Sequence, residues 1–284
     1  MPSQSYAGTE LFPDGQRRRG WGRESYWSYF NPQSLFGGGQ QGIYIAPWET
    51  STILGSDGIT PIAGFNQPVG KIADLPDNGN YATQAVTAKQ PIYKINANNK
   101  PYLMFDGIDD FVEFNNSLAL FKSVNGVTIV AVYAFRTVPT SSARYVFFVT
   151  NPTVLNARIL VGGGGSASGR FVSGGRRLDS DAGAQTANST ATITANVIYA
   201  QAMRADYANA TVYQYINAAL DGVNASFQTA GALSSTDAAS AKIASTHTSS
   251  FSPIDLYGLI AVPRLLTDAE CNQVTSYLMI KAGI

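Results

Sequence analysis

The chain has 284 residues, of which 45% are hydrophobic and 13% are charged, and its formal net charge at pH 7 is zero. That much apolar material can build a sizeable core, which excludes a globally disordered chain. Zero net charge excludes nucleic-acid binding by bulk electrostatic attraction. The single cysteine, Cys271, and the single histidine, His247, exclude an internal disulfide and a zinc site made of cysteine and histidine ligands. No apolar run approaches the ~18 residues of a transmembrane helix.

Residues 1–40 differ in composition from the rest of the chain. The segment "GQRRRGWGRESYWSYF" (15–30) mixes arginine with aromatic residues and shows neither strand nor helix periodicity. We therefore predict an extended N-terminal arm. Aromatic residues and arginine are enriched at interface hot spots, so we expect the arm to dock on a partner protein, with nucleic acid as the second alternative. The predicted docking residues are Arg17, Arg18, Arg19, Trp21, Arg23, Tyr26, Trp27, Tyr29 and Phe30.

From residue 41 onward the pattern is that of a β protein. The segment "GVTIVAVYAFR" (126–136) is apolar on both faces and predicts a central strand covered on both sides. Further strand-length segments follow, separated by Gly, Asn, Asp and Pro, and "INAALDG" (216–222) predicts a hairpin turn. Many short strands with turn signals predict an all-β fold, a two-sheet antiparallel jelly-roll sandwich over residues 41–284.

The stretch "LMFDGIDDFVEF" (103–114) concentrates carboxylates between apolar residues. Asp106 precedes a glycine, a strong turn pair, and Asp109 and Asp110 can accept backbone N–H groups there, so we predict a hairpin turn. A calcium ion near Asp109 and Asp110 is the alternative, although calcium takes six to eight oxygen ligands and the others cannot be identified. The facing carboxylate pair of a glycosidase, and the E-x-D-x-x-E strand motif of jelly-roll glucanases, are absent. The sequence predicts no enzyme.

Two further motifs have structural interpretations. The glycine-rich "VGGGGSASGRF" (161–171) loosely matches a phosphate loop, but a strand rather than a helix follows it, so we predict a hairpin loop. His247, in "ASTHTSSF" (244–251), has no accompanying G-x-S-x-G elbow, so we predict a loop histidine rather than a member of a Ser–His–Asp triad.

One short C-terminal helix is well signalled by "LTDAECNQVTSYLMIKAG" (266–283). Thr267 as N-cap and Glu270 three residues later form a capping box. Gly283 suits the C-terminal cap. The buried face is predicted to consist of residues at helical spacing: Cys271, Val274 and Leu278.

Several of these segments together resemble the laminin-G-like, concanavalin A-like jelly-roll superfamily. They are "PYLMFDGIDDFVEF", "VIYAQAM", "TVYQYINAALDG" and, most specifically, "LIAVPRLLTDAECNQVTSYLMIKAGI". The upstream segment "GFNQPVGKIADLPDNGNYATQ" resembles the segment that precedes such a domain in bacteriophage virion proteins. Tyr81 stands where that pattern has histidine. The resemblance covers about residues 40–284. Members of the superfamily bind glycans, bind calcium or hold assemblies together, so fold alone does not determine function.

The arm and the resemblance lead to one functional expectation. We predict a non-enzymatic bacteriophage virion structural protein, associated with the tail or its fibres and located in the virion after synthesis in the host cytoplasm. Residues 1–40 would bind other virion proteins, while residues 41–284 would be displayed as a homo-oligomer and contact host surface glycans. Capsid decoration, a glycan-binding module and a glycan-cleaving enzyme are the alternatives. No cofactor and no membrane partner are expected.

Overall fold

The computed structural model describes residues 30–76, 78–115, 120–150, 157–233, 240–246 and 250–284. The strands are β1 (Ile43–Ile45), β2 (Ile53–Leu54), β3 (Gln67–Pro68), β4 (Lys71–Ala73), β5 (Tyr81–Thr83), β6 (Ile92–Ile95), β7 (Pro101–Phe105), β8 (Val112–Phe114), β9 (Gly126–Phe135), β10 (Arg144–Thr150), β11 (Arg158–Gly164), β12 (Ala167–Arg176), β13 (Gln185–Thr192), β14 (Ile198–Asp206), β15 (Thr211–Ile216), β16 (Ala219–Asn224), β17 (Ser240–Ile243) and β18 (Ile254–Val262). Helix α1 spans Asp268–Ala282, and 3₁₀ helices span Pro32–Gly39, Thr50–Thr52 and Thr87–Lys89.

These strands form two antiparallel sheets that pack face to face. Sheet A has the order β16-β15-β14-β9-β18-β7-β6-β3, with β1 also paired to β18. Sheet B has the order β13-β12-β11-β10-β17-β8-β5-β4-β2. The predicted all-β, two-sheet antiparallel sandwich with a short C-terminal helix is therefore confirmed.

The core lies between the two sheets and follows from residue alternation along the strands. In the central strand β9, every second side chain, including Tyr133 and Phe135, enters the core, and Tyr133 meets Phe171 of sheet B edge to face at 6.5 Å. The other face of β9 is also buried, and helix α1 packs against this strand. The prediction that 126–136 forms a central strand covered on both sides is confirmed.

Helix α1 begins and ends where the sequence predicts. The hydroxyl of Thr267 accepts a hydrogen bond from the Glu270 N–H (3.2 Å), and the Glu270 carboxylate accepts one from the Thr267 N–H (2.8 Å). Gly283 ends the helix in the left-handed conformation (φ 84°). The predicted apolar face is fully buried: Cys271, Val274 and Leu278. No helix within the described ranges is long and apolar enough to cross a membrane.

Residues 31–40, which composition assigns to the arm, lie in the same compact unit as the sandwich, Asn31–Ile284. Leu35 and Phe36 of the first 3₁₀ helix are buried, and the Phe36 ring stacks on Tyr44 of β1 at 6.4 Å. The predicted domain boundary at residue 41 thus lies inside this unit, because two apolar side chains of an otherwise glycine-rich segment pack against the first strand.

The turn at 106–110 is not a hairpin turn, and that prediction is wrong. Strand β7, which precedes it, pairs with β6 and β18 in sheet A, whereas β8, which follows it, pairs with β5 and β17 in sheet B. The turn therefore crosses from one sheet to the other. Phe105 and Val112 enter the same core from opposite sides, and this gives the same alternating pattern in sequence that a hairpin would give. The predicted hairpins β11–β12 and β15–β16 are both confirmed.

Candidate functional site

A row of polar side chains crosses the outer face of sheet B. The strand register places Thr83 of β5 opposite Glu113 of β8, and Glu113 opposite Lys242 of β17. Their sequence neighbours Ala82 and Ile243 point into the core. Because side chains alternate between the faces of a sheet, the row points away from the core.

An open cleft of about 430 Å³ lies over this row. It combines a carboxylate, a hydroxyl group, two side-chain amides and two aromatic rings, which is the mixture of polar and apolar groups found in small-ligand sites. The lining residues are Thr83, Gln84, Ala85, Phe111, Glu113, Phe114 and Asn115.

Lys242 positions both the carboxylate and the ring of the cleft. Its Nζ lies 3.4 Å from Oε2 of Glu113 and 4.7 Å from the centroid of the Phe111 ring. The lysine side chain is 9% exposed and that of Glu113 is 41% exposed, so the ion pair has a buried and an open end. Phe111 also packs against Phe251, with ring centroids 6.2 Å apart. The ammonium group of Lys242 therefore attracts the Glu113 carboxylate by charge and the Phe111 ring by a cation–π contact, and both contacts hold these side chains in place.

The amide side chains of the cleft hold its walls. Gln84 accepts a hydrogen bond from the Val86 N–H (3.0 Å), and its Nε2 donates to the carbonyl of Phe111 (3.4 Å). Asn115 accepts from the Tyr81 N–H (3.0 Å) through Oδ1. These bonds tie loops on either side of β5 and β8 to one another, so the cleft is formed before any ligand arrives.

The groups of the cleft can bind a ligand that carries hydroxyl groups. Within the described chain, Glu113 is the one carboxylate among the residues that line this cleft. The open end of Glu113 can accept hydrogen bonds from hydroxyl groups, while Phe111 offers an apolar surface beside it. Neither Glu113 nor Lys242 was identified as a site residue from the sequence. Each is a charged residue between two core residues of a short strand, and this pattern could have indicated a charged side chain on the outer face of a sheet.

The acidic turn uses two of its three aspartates for structure. Asp106 Oδ1 accepts the Ile108 N–H (2.7 Å), and Asp110 Oδ2 accepts the Asp106 N–H (2.9 Å). Burial raises the pKa of Asp110 to about 6. Carboxylate oxygens of Asp106, Asp109 and Asp110 lie within 4.8 Å of one another, close enough to share a cation. Asp110 accepts a backbone N–H group as predicted, whereas Asp109 accepts none among the described residues and Asp106 does so instead; the calcium alternative stays a prediction.

The predicted docking residues fall almost entirely outside the part of the chain that the structure describes. Eight of them belong to residues 1–29, which the structure does not describe: Arg17, Arg18, Arg19, Trp21, Arg23, Tyr26, Trp27 and Tyr29. The predicted loop histidine, His247, also lies outside the described residues. Phe30 is described and is half-buried. Docking through the arm therefore remains a prediction.

No family model matches the chain, and no curated protein matches it. Among solved structures, the binding domain of Paraclostridial Mosquitocidal Protein 1 is similar, with a TM-score of 0.55 and 12% identity over 72% of this chain and 49% of that chain. This chain therefore covers about half the length of that domain.

Two saccharide complexes are among the other similar structures. One is domain 4 of AbnA, a GH43 extracellular arabinanase from Geobacillus stearothermophilus, in complex with arabinotriose (TM-score 0.49, 12% identity, 66% of this chain and 81% of that one). The other is the CBM40 of the Ruminococcus gnavus IT-sialidase bound to α2,3-sialyllactose (TM-score 0.45, 17% identity, 55% and 86%). At such identities the likeness is one of fold.

Proposed function

We propose that this chain is a non-enzymatic glycan-binding module displayed on a bacteriophage particle. The observation that carries the binding part is the cleft on the outer face of sheet B, where Phe111, Glu113 and Thr83 converge and Lys242 holds the first two in place. Its fold, shared with the binding domain of a mosquitocidal protein, supports a binding role.

The ligand class follows from the groups in the cleft. A sugar ring presents hydroxyl groups along its edge and C–H groups on its face. Glu113 accepts hydrogen bonds from hydroxyl groups, Thr83 can donate or accept, and the Phe111 ring supports an apolar face. A cleft of about 430 Å³ that opens to solvent accommodates a short stretch of a longer saccharide without enclosing it.

The virion part of the proposal rests on sequence. The segment before the sandwich resembles the lead-in of bacteriophage virion proteins, and residues 1–30 have the composition of an interface segment. We place the protein at the tail or its fibres, with capsid decoration as the alternative location. Fractionation of purified particles tests this part, since absence of the protein from tails and capsids alike would contradict it.

Glycan binding is tested on the full chain. A glycan array identifies a ligand, and calorimetry then compares the wild type with Glu113→Gln and Phe111→Ala. We expect each substitution to weaken binding by at least about tenfold, the equivalent of a lost charged hydrogen bond. Glu49→Gln is the matched control, because Glu49 lies before a 3₁₀ helix without capping it. Equal affinity of Glu113→Gln and the wild type would rule out the cleft.

A further inference from the structure

A second cluster of polar and aromatic side chains lies on the outer face of sheet A. It consists of Asp255 and Tyr257 of β18, Tyr102 of β7, Lys94 of β6 and Arg136, and is named the Asp255 patch here. Leu103 and Leu256, neighbours of its members, point into the core, which places the patch on the opposite face.

A β-bulge builds the patch. The register between β18 and β9 shifts between Leu256 and Gly258, so Tyr257 is an extra residue in β18. Bulges re-aim side chains and are frequent near binding sites. Here the Tyr257 ring lies 5.1 Å from the ring of Tyr102, while Gly258 packs under helix α1, where a Cβ would lie 3.2 Å from Leu278.

Asp255 carries an unsatisfied acceptor. Its Oδ1 is buried and has no hydrogen-bond donor among the described residues. Arg136 and Lys94 act on it electrostatically, but neither forms an ion pair with it within the described chain. Buried polar atoms are nearly always hydrogen-bonded, because an unsatisfied one destabilises the fold. An unsatisfied carboxylate oxygen in a folded protein needs an explanation, and a bound hydroxyl donor is one that the exposed neighbours of Asp255 allow.

The two tyrosines complete an amphipathic surface around this oxygen. Tyr257 is buried, and its hydroxyl accepts a hydrogen bond from Asn96 Nδ2 (3.4 Å), which holds the ring. Tyr102 is half-buried, so part of its ring faces solvent beside Asp255. Arg136 and Lys94 give the surroundings of the carboxylate a positive balance, which disfavours a cationic ligand.

We propose that the Asp255 patch is a second saccharide-binding site that takes a neutral sugar residue. A sugar hydroxyl would donate to the carboxylate of the half-buried Asp255, whose Oδ1 becomes accessible on a small rotation of the side chain, and the apolar face of the ring would pack against Tyr102. A neutral hydroxyl group can donate the hydrogen bond that the carboxylate lacks. A cationic ligand would be repelled by Arg136 and Lys94. The patch and the cleft lie on opposite outer faces, so this site does not depend on the cleft, and two sites allow bivalent attachment to a glycan surface.

Saturation-transfer NMR tests the proposal on the full chain, with D-galactose, D-mannose and D-glucose as neutral probes and choline as a cationic comparator. Four proteins are compared: the wild type, Glu113→Gln, Asp255→Asn and the double variant. We expect Glu113→Gln to keep a sugar signal, the double variant to lose it, and choline to give none. Glu49→Gln, which removes one charge from a side chain that forms no capping hydrogen bond, is the matched control and should behave as the wild type.

The outcomes separate the two sites. Loss of all sugar signal in Glu113→Gln alone, or equal signals in that variant and the double variant, would overturn the Asp255 patch. Full loss in Asp255→Asn with no effect of Glu113→Gln would support the patch and refute the cleft. Tyr102→Ala should weaken sugar binding at least fivefold, whereas Tyr102→Phe should retain it, because the ring rather than the hydroxyl makes the contact. Melting temperatures within a few degrees of the wild type confirm that each variant is folded.

Discussion

The hydroxyl of Tyr133 donates a hydrogen bond to Oε1 of Gln201 at 2.5 Å in the centre of the core. The Nε2 of the same glutamine reaches the carbonyls of Gly162 (3.2 Å) and Val172 (3.0 Å) in sheet B, and Oε1 of Gln214 (3.1 Å) in sheet A. One buried side chain thereby joins both sheets through a satisfied polar network, which fixes how the sheets stack.

Replacing Gln201 should destabilise the fold strongly. Gln201→Leu leaves the Tyr133 hydroxyl and Oε1 of Gln214 without a hydrogen-bond partner in the buried core, so we expect a loss of about 2 to 4 kcal/mol in the free energy of unfolding. Tyr133→Phe removes one hydroxyl and should cost about 1 kcal/mol. Urea titrations measure both, and a Gln201→Leu variant as stable as the wild type would show that the network is unimportant.

Lys242 should matter more for binding than for stability. Lys242→Met keeps an unbranched chain over Phe111 but leaves Glu113 without its cation, so the carboxylate is less well positioned. We expect glycan affinity to fall at least about fivefold and the free energy of unfolding to fall by about 1 kcal/mol or less. Lys242→Arg retains the positive charge, so its glycan affinity should lie between those of Lys242→Met and the wild type. An affinity as low as that of Lys242→Met would mean that the packing of the lysine, and not its charge, is what matters.

The stability of the protein should rise on mild acidification through Asp255. Burial raises the pKa of its carboxyl from 3.8 to about 6, and Arg136 and Lys94 only partly oppose this; Tyr102 and Tyr257, the other titratable groups beside it, are neutral in this range. Because the folded pKa is the higher one, the stabilising contribution is complete below about pH 4 and is lost as the pH rises through about 6.

Asp255→Asn should therefore raise the free energy of unfolding at pH about 7 by roughly 1 to 2 kcal/mol and flatten its decline between pH about 4 and 7. Part of the decline in stability with pH should remain in this variant, because burial also raises the pKa of Asp110 to about 6. Denaturant titrations at the two pH values give the result. Lower stability of Asp255→Asn at neutral pH would mean that the carboxylate makes a stabilising contact after all.

At one edge of the sandwich, side chains of β16 in sheet A form hydrogen bonds with the backbone of β13 in sheet B. Asp221 on β16 accepts the N–H groups of Thr190 and Ala191 on β13 through its two carboxylate oxygens, each at 3.0 Å. Asp221→Ala should cost about 1 to 3 kcal/mol and free a strand edge, so the variant should aggregate on heating. Asp221→Asn retains one acceptor and should lie between. Light scattering during thermal unfolding measures the effect.

Removal of the arm should leave the sandwich intact and abolish attachment to the particle. Because Leu35 and Phe36 pack within the compact unit, the deletion should end before Asn31. A chain without residues 1–29 should melt as the full chain does but fail to enter particles, as should a variant with Trp21 and Trp27 changed to alanine. Normal incorporation of either would move the attachment surface to the sandwich.

Local features were determined by the sequence itself. The capping box of Thr267 and Glu270, the terminating Gly283 and the turns of the β11–β12 and β15–β16 hairpins each depend on residues a few positions apart. The alternation of apolar residues also determined the class of fold, since it requires two sheets to cover one another. The same alternation could not reveal that the 106–110 turn changes sheets, because a hairpin and a crossing turn bury the same positions.

Only the tertiary structure decided where the candidate sites lie. Glu113 meets Lys242, and Tyr102 meets Tyr257, through strand pairings between distant parts of the chain. Register over such separations is set by the packing of the whole core and, at Tyr257, by a bulge of one residue that no local pattern announces. A binding surface on a sheet is a product of that register, and for this reason it became visible only once the strands were in place.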